Sequence, residues 1–218
     1  MTIREVNIPR ELRRTPNWIG WKHFEVSSKR FRIPVKPSNQ DRANVHDCSD
    51  WAPFDHAVKA YIRRKIDGIG FVFSGDFRDP YVGIKICNCF DENGKLSMEG
   101  RIIFRRLGSY TQLSLSGRSL SIIVKSDFKT EVPVTVYKDY QIHPMKKFFP
   151  ITGRLFEDSK PEIRDKHSDV MRMVKRATDK VEEPKIIRVP ANTKACPICR
   201  MPPGIHLQSC PRYVNTVI

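Results

Sequence analysis

Four residues near the C-terminal end, Cys196, Cys199, His206 and Cys210, have the types and spacing of metal ligands, C-x2-C-x6-H-x3-C. Thiolate and imidazole donors set this close can complete a tetrahedral zinc site. Pro202-Pro203-Gly204 would turn the chain round the ion. With all four positions filled by protein the zinc would be structural, and its binding would supply most of the folding free energy of a segment with almost no core. A second group lies in Gly83-Ile84-Lys85-Ile86-Cys87-Asn88-Cys89. Read as a strand, it puts Lys85, Cys87 and Cys89 on one face. One ammonium and two sulfurs make no site for magnesium, which wants hard oxygen ligands, but the lysine suits an anion. Ser116-Gly117-Arg118 reads as a turn whose backbone N–H groups and guanidinium could hold a phosphate. Cys48 reads as a free thiol, and Cys87 and Cys89 as small buried residues. A soft-metal site joining those two to His143 is the less favoured reading, and a disulfide framework is not expected.

The elements that must position these groups follow from apolar spacing. Strand-like runs cover Trp18–Phe24, Arg30–Val35, Ile69–Phe73, Tyr81–Cys87, Ser119–Lys125, Val132–Tyr137 and Lys147–Ile151. Asp50 can cap a helix over Trp51–Lys65, and Ser97 one reaching about Leu107. Strands alternating with helices predict an α+β class, a mixed sheet domain with flanking helices over residues 1–158. Beyond it, capping-box spacing at Ser159 opens a charged helix to residue 183. Its stripe of Val170, Met173, Val174, Ala177 and Val181 suits packing on the main domain or a dimer seam. Residues 184–195 read as a linker, and 196–218 as the small zinc-binding tail.

Composition narrows the function classes. Lys and Arg outnumber Asp and Glu by 39 to 24 over 218 residues, a net charge of +15. Such an excess suits a polyanionic partner, because neutralising phosphates releases counterions. No run of eighteen apolar residues and no apolar signal core occurs, so no membrane partner is expected and the expected setting is soluble and intracellular.

An ordered set of motifs across the first 156 residues resembles the N-terminal primase-polymerase domain of phages and plasmids, in the archaeo-eukaryotic primase superfamily. Trp18-Ile19-Gly20-Trp21 is similar to its W-x-x-W, and Trp51-Ala52-Pro53-Phe54 with Ala57 to its W-x-x-F-x-x-A. Asp67-Gly68-Ile69-Gly70-Phe71-Val72-Phe73 precedes the altered strand, where the family reads G-I-D-L-D-x-C. Ser116-Gly117-Arg118 with Leu120-Ser121-Ile122-Ile123 is similar to S-G-K-G-L-H-I-I, and Lys147-Phe148-Phe149 with Ile151-Thr152-Gly153 to R-F-F-x-x-T-G. The tail, likewise, resembles zinc knuckles and ribbons, with a different spacing.

The resemblance implies where chemistry should sit, and there this chain departs. Lys85 and Cys87 stand at the two metal-binding aspartates and Thr135 at a third acid, in Thr135-Val136-Tyr137-Lys138 for E-I-Y-D. Ser121 replaces the phosphate-contacting histidine, Gln112 the glutamate of S-Y-T-E, and Lys147 the arginine before Phe-Phe. The apolar frame between these positions survives, which random decay would not arrange. The resemblance with these losses implies a pseudo-enzyme without catalytic magnesium, an accessory or regulator of DNA replication in a phage or other mobile element. Its expected partner is single-stranded or primer-template DNA, held through Lys85, Arg118, Lys125, Lys147, Arg32 and Lys36, alongside a replicase or helicase. One alternative is a divergent active primase-polymerase drawing carboxylates from Asp76, Asp79, Asp91 or Asp139. Another is a decoy that engages a host protein.

Overall fold

The structure, a computed structural model, describes residues 2–26, 29–76, 79–130, 134–137, 140–179, 186–188 and 205–207. The chain divides into two units, Met1–Ala177 and Thr178–Ile218. Within the first, a four-stranded antiparallel sheet has the order β2-β1-β3-β9, built from β1 (Trp18–Val26), β2 (Lys29–Val35), β3 (Gly68–Phe73) and β9 (Lys147–Ile151). A five-stranded antiparallel sheet has the order β5-β6-β4-β8-β7, from β4 (Tyr81–Ile86), β5 (Thr111–Leu113), β6 (Leu120–Lys125), β7 (Val134–Tyr137) and β8 (Tyr140–His143). Helices α1 (Arg10–Arg14), α2 (Phe54–Ile62), α3 (Met98–Leu107) and α4 (His167–Asp179) complete a mixed α+β architecture. No helix among the described residues is long and apolar enough to cross a membrane.

The five-stranded sheet is covered on both faces, which is why its strands read as nearly unbroken apolar runs. One face, with Val82, Ile84, Ile86, Ile122 and Ile142, packs with Phe104, Leu107 and Val170 of α3 and α4. The other, with Tyr81, Tyr110 and Ile123, joins a core holding Trp18, Phe54, Phe71 and Phe149. The two sheets touch at Gly83, where a methyl group would lie 2.5 Å from the Phe73 ring and 2.7 Å from the Phe149 ring.

Several boundaries move from their expected places. Helix α3 starts where Ser97 predicts: its hydroxyl accepts from the Gly100 N–H at 3.1 Å, and Gly108 ends the helix in the left-handed region. Asp50 does not cap α2, which begins at Phe54 after Pro53. Its carboxylate instead accepts from the Asn44 N–H and pairs with Lys36. The helix expected from Ser159 begins only at His167. The Ser159 hydroxyl accepts from the Thr111 N–H, and the segment after it bonds along the five-stranded sheet through Glu162, Arg164 and Lys166. Val170 of α4 is buried in the outer core, with Met173, Val174 and Ala177 packed against it. Strand β4 ends at Ile86, so Cys87 and Cys89 do not continue it; Asn88 turns the chain at φ 45°. In the second unit, β10 (Ile186–Arg188) pairs antiparallel with β11 (Ile205–Leu207) inside the expected linker and tail.

Candidate nucleic-acid interface

Antiparallel strands place directly opposed residues on one face of the sheet, and register therefore assembles the site. Lys85 of β4 lies opposite Ser121 of β6 and Gln141 of β8. Ser121 lies opposite Gln112 of β5, and Gln141 opposite Thr135 of β7. Gln112, Ser121, Lys85, Gln141 and Thr135 thus occupy one row across all five strands. Lys85 is two residues from Gly83, so it shares the face that meets the first sheet.

No residue of that row carries a carboxylate. Lys85, half-buried, stands where the resemblance puts a metal-binding aspartate. In the strand beside it Gln141 is the residue directly opposite Lys85, and Thr135, where the resemblance puts a third acid, is one strand further out. Thr135-Val136-Tyr137 and Gln141-Ile142-His143 have the same polar–apolar–aromatic-ring alternation, and only the ladder separates them.

His143, which the sequence did not place in this cleft, faces Gly83 in the same ladder. It is 4% exposed, and its ring lies 5.5 Å from that of Phe149. Its Nε2 is 3.3 Å from the Gln141 Oε1, while Nδ1 is buried without a hydrogen-bond partner among the described residues. Burial, reinforced by the positive charges of Lys147 and Lys85, pushes the imidazole pKa down to about 4. The ring is therefore neutral at pH 7. Lys147 stands on β9 opposite Phe73, whose ring meets Gly83, so its backbone position belongs to the face turned toward the second sheet. The charges of Lys85, from one sheet, and Lys147, from the other, both act on this uncharged ring. Such an arrangement attracts an anion and repels a cation.

Gln112 has a different task at the end of the row. It is 1% exposed; its Nε2 donates to the Pro150 carbonyl at 2.7 Å. Its Oε1 accepts from the Tyr110 hydroxyl at 2.9 Å, the Thr152 N–H at 3.0 Å and the Gly153 N–H at 3.2 Å. The amide ties β5 to the chain leaving β9. A glutamate could not make the donated bond when ionised.

The remaining candidates scatter. Arg118 is exposed in the turn between β5 and β6, where Ser114 accepts from the Gly117 and Ser119 N–H groups and the Arg118 carbonyl accepts from the Cys89 N–H. Lys125 sits at the opposite end of β6 from that turn, paired with Glu11 at 2.5 Å; the Tyr81 hydroxyl donates to the same carboxylate at 3.2 Å. Lys36 is held by Asp50 at 2.5 Å, and that bond holds the Asp50 carboxyl below its ordinary range. Arg32 is exposed on β2, at the opposite edge of the first sheet from Lys147. Of the six basic candidates, Lys85 and Lys147 are the two whose charges act on the buried His143 ring.

Two of the acids that an active enzyme would recruit, Asp79 and Asp91, hold turns instead. Asp79 is buried and accepts from the Asn17 amide, the Ser74 N–H and hydroxyl, and the Tyr81 N–H. Asp91 accepts from the Asn93 and Lys95 N–H groups. Asp139 lies outside the described residues, as do Cys196, Cys199 and Cys210 and the side chain of His206. Cys48 is an exposed free thiol. Among the described residues, no group of three or more His, Cys, Asp or Glu side chains could hold a metal ion, the Cys87–Cys89–His143 combination included. Comparison with protein-family models gives no match to the chain, and comparison with curated proteins gives none either.

Proposed function

We propose that the protein is a metal-independent nucleic-acid-binding protein on a degenerate primase-polymerase-like scaffold, serving as an accessory or regulator of DNA replication in a phage or other mobile element. One observation carries this reading: the row Gln112, Ser121, Lys85, Gln141 and Thr135 has a lysine at its centre and no acid. Phosphoryl transfer by two metals needs carboxylates to hold the ions that activate the attacking oxygen and shield the leaving group. Lys85 brings its own positive charge to that position and, with Lys147, neutralises phosphate directly. The strand is held and not turned over. The neutral His143 ring between them adds no charge and leaves the lysines as the anion contacts. The Cys196, Cys199, His206 and Cys210 tail carries a structural zinc and adds a contact to DNA or to a replicase or helicase.

The test is fluorescence anisotropy of labelled single-stranded, duplex and primer-template DNA across a salt series without magnesium. Binding that falls steeply with salt is expected. Lys85→Gln with Lys147→Gln should flatten the log–log salt slope by about 0.7 for each single-strand phosphate that is no longer neutralised. Primer extension under magnesium or manganese would refute the non-catalytic assignment. Salt-insensitive, weak binding would refute the nucleic-acid assignment and favour a protein partner.

A further inference from the structure

Strands β1 and β2 continue past the sheet they belong to. β1 pairs with β3 only from Trp18 to Trp21, whereas its pairing with β2 runs on to Val26 opposite Lys29. β2 is the edge strand of its sheet. Beyond Trp21 the hairpin is therefore a two-stranded ribbon. Its root is pinned by Asp67, whose carboxylate accepts from the His23 N–H at 2.7 Å and lies 3.2 Å from the His23 Nδ1. On this ribbon Phe24 and Phe31 stand directly opposite one another, so they share a face. They are 57% and 50% exposed. Single exposed apolar residues are ordinary on a protein surface. Two phenylalanines paired across a ribbon that has no third strand and no covering helix among the described residues are not explained by the described fold.

The charge of the ribbon selects what covers them. Lys22, Lys29, Arg30 and Arg32 accompany a single acid, Glu25, between Trp21 and Ile33. Lys22, two residues before Phe24 on β1, shares the face of the aromatic pair, whereas Arg32, exposed and opposite His23, stands on the other face of the ribbon. Exposed aromatic rings flanked by cations make a stacking platform for bases, with the phosphates between them neutralised. An apolar protein partner would use the rings but not the charges. A bare polyanion would use the charges but not the rings.

We propose that the β1–β2 arm is a second, separate nucleic-acid contact that stacks unpaired bases of a single strand on Phe24 and Phe31, with Lys22 on the same face meeting the backbone. This shares the ligand class of the proposed function but not its site. Duplex DNA, whose bases are already stacked, gains nothing from the rings. The arm therefore gives the protein its preference for single strands, while the Lys85–Lys147 cleft supplies attraction for phosphate of either kind.

The experiment compares Phe24→Leu/Phe31→Leu, Lys22→Gln and Lys85→Gln/Lys147→Gln with the wild type, using labelled single-stranded and duplex DNA at several salt concentrations. Leucine keeps the ribbon apolar and removes the stacking face; unchanged tryptophan emission confirms an intact fold. The phenylalanine variant should bind single strands about tenfold to a hundredfold more weakly, bind duplex as the wild type does, and keep the wild-type salt slope. Lys22→Gln should lower the single-strand slope by about 0.7. Single-strand binding equal to the wild type in the phenylalanine variant would overturn the arm and leave the cleft standing. Conversion of a dimer to a monomer with DNA affinity unchanged would overturn it too, by making the pair a seam between copies. A weakened phenylalanine variant beside an unaffected lysine variant would keep the arm and remove the cleft. A wild type that binds no single strand would remove both.

Discussion

His143 makes the cleft acid-sensitive, and the size of the effect follows from its surroundings. The ring is buried against Phe149, and burial, with the charges of Lys147 and Lys85, lowers its pKa from the ordinary 6.5 to about 4. In the unfolded chain the imidazole takes up its proton near 6.5; in the folded protein it resists until about 4. Between those values the unfolded state binds more protons, so stability rises with pH. The contribution is fully present above pH 6.5 and is lost as pH falls through 4. Linkage gives about 2 kcal/mol lost by about pH 5 and about 3 kcal/mol by about pH 4. The perturbation is His143→Gln, which cannot titrate. Urea unfolding, followed by tryptophan fluorescence, reads the first unit alone, because Trp18, Trp21 and Trp51 all lie in it. The comparison is between wild type and variant at each pH, so that acids such as Asp50 and Asp169, whose pKa values are held down by Lys36 and Arg106, cancel. The wild-type advantage should shrink by about 2 kcal/mol between about pH 7.5 and about pH 5. Replacing Lys85 and Lys147 by glutamine should relieve part of that loss. Parallel curves for wild type and His143→Gln would refute the argument, because they would mean that His143 titrates folded as it does unfolded.

Gln112→Glu should lower stability by about 1–3 kcal/mol, since an ionised carboxylate leaves the buried Pro150 carbonyl without its donor; thermal melting at neutral pH reads it. Gly83→Ala should cost about 1–3 kcal/mol by forcing the Phe73 and Phe149 rings apart at the point where the sheets touch, and equal melting temperatures would refute that contact. Elemental analysis should find about one zinc per chain, and chelation should leave the tryptophan fluorescence of the first unit unchanged. No zinc would remove the Cys196, Cys199, His206 and Cys210 site from the proposal.

Local chemistry was legible where neighbouring residues decide the outcome. The apolar runs at Ile69–Phe73 and Tyr81–Cys87 marked buried strands, which the structure places at Gly68–Phe73 and Tyr81–Ile86. Ser97 opened a helix as read because its cap is made with a residue three positions away. That positions 85, 112 and 135 hold no acid was visible in the residue types alone. Helix α2 shows where local reading stops. Asp50 had the right type and place for a cap, but Lys36, 14 positions earlier, offered its carboxylate a charged partner.

Which residues meet was decided by contacts that span the chain. Gln141 rather than Thr135 lies opposite Lys85 because register depends on how β7 and β8 pair, and two similar alternations cannot be ranked without the ladder. Lys125 and Lys147 are equally basic in the sequence. Lys125 became a strut because α1 brings Glu11 to it, and Lys147 came to act on His143 because β9 pairs with β3. Gln112, which the resemblance sets at a glutamate, is an amide bridging Tyr110, Pro150, Thr152 and Gly153. The types and spacing of the residues determined most of the elements, the excess of positive charge and the absence of acids at positions 85, 112 and 135. Only the tertiary structure decided which lysines are paired with an acid and which act on the same buried ring, because an ion pair and a strand register are made between residues that local propensity never compares.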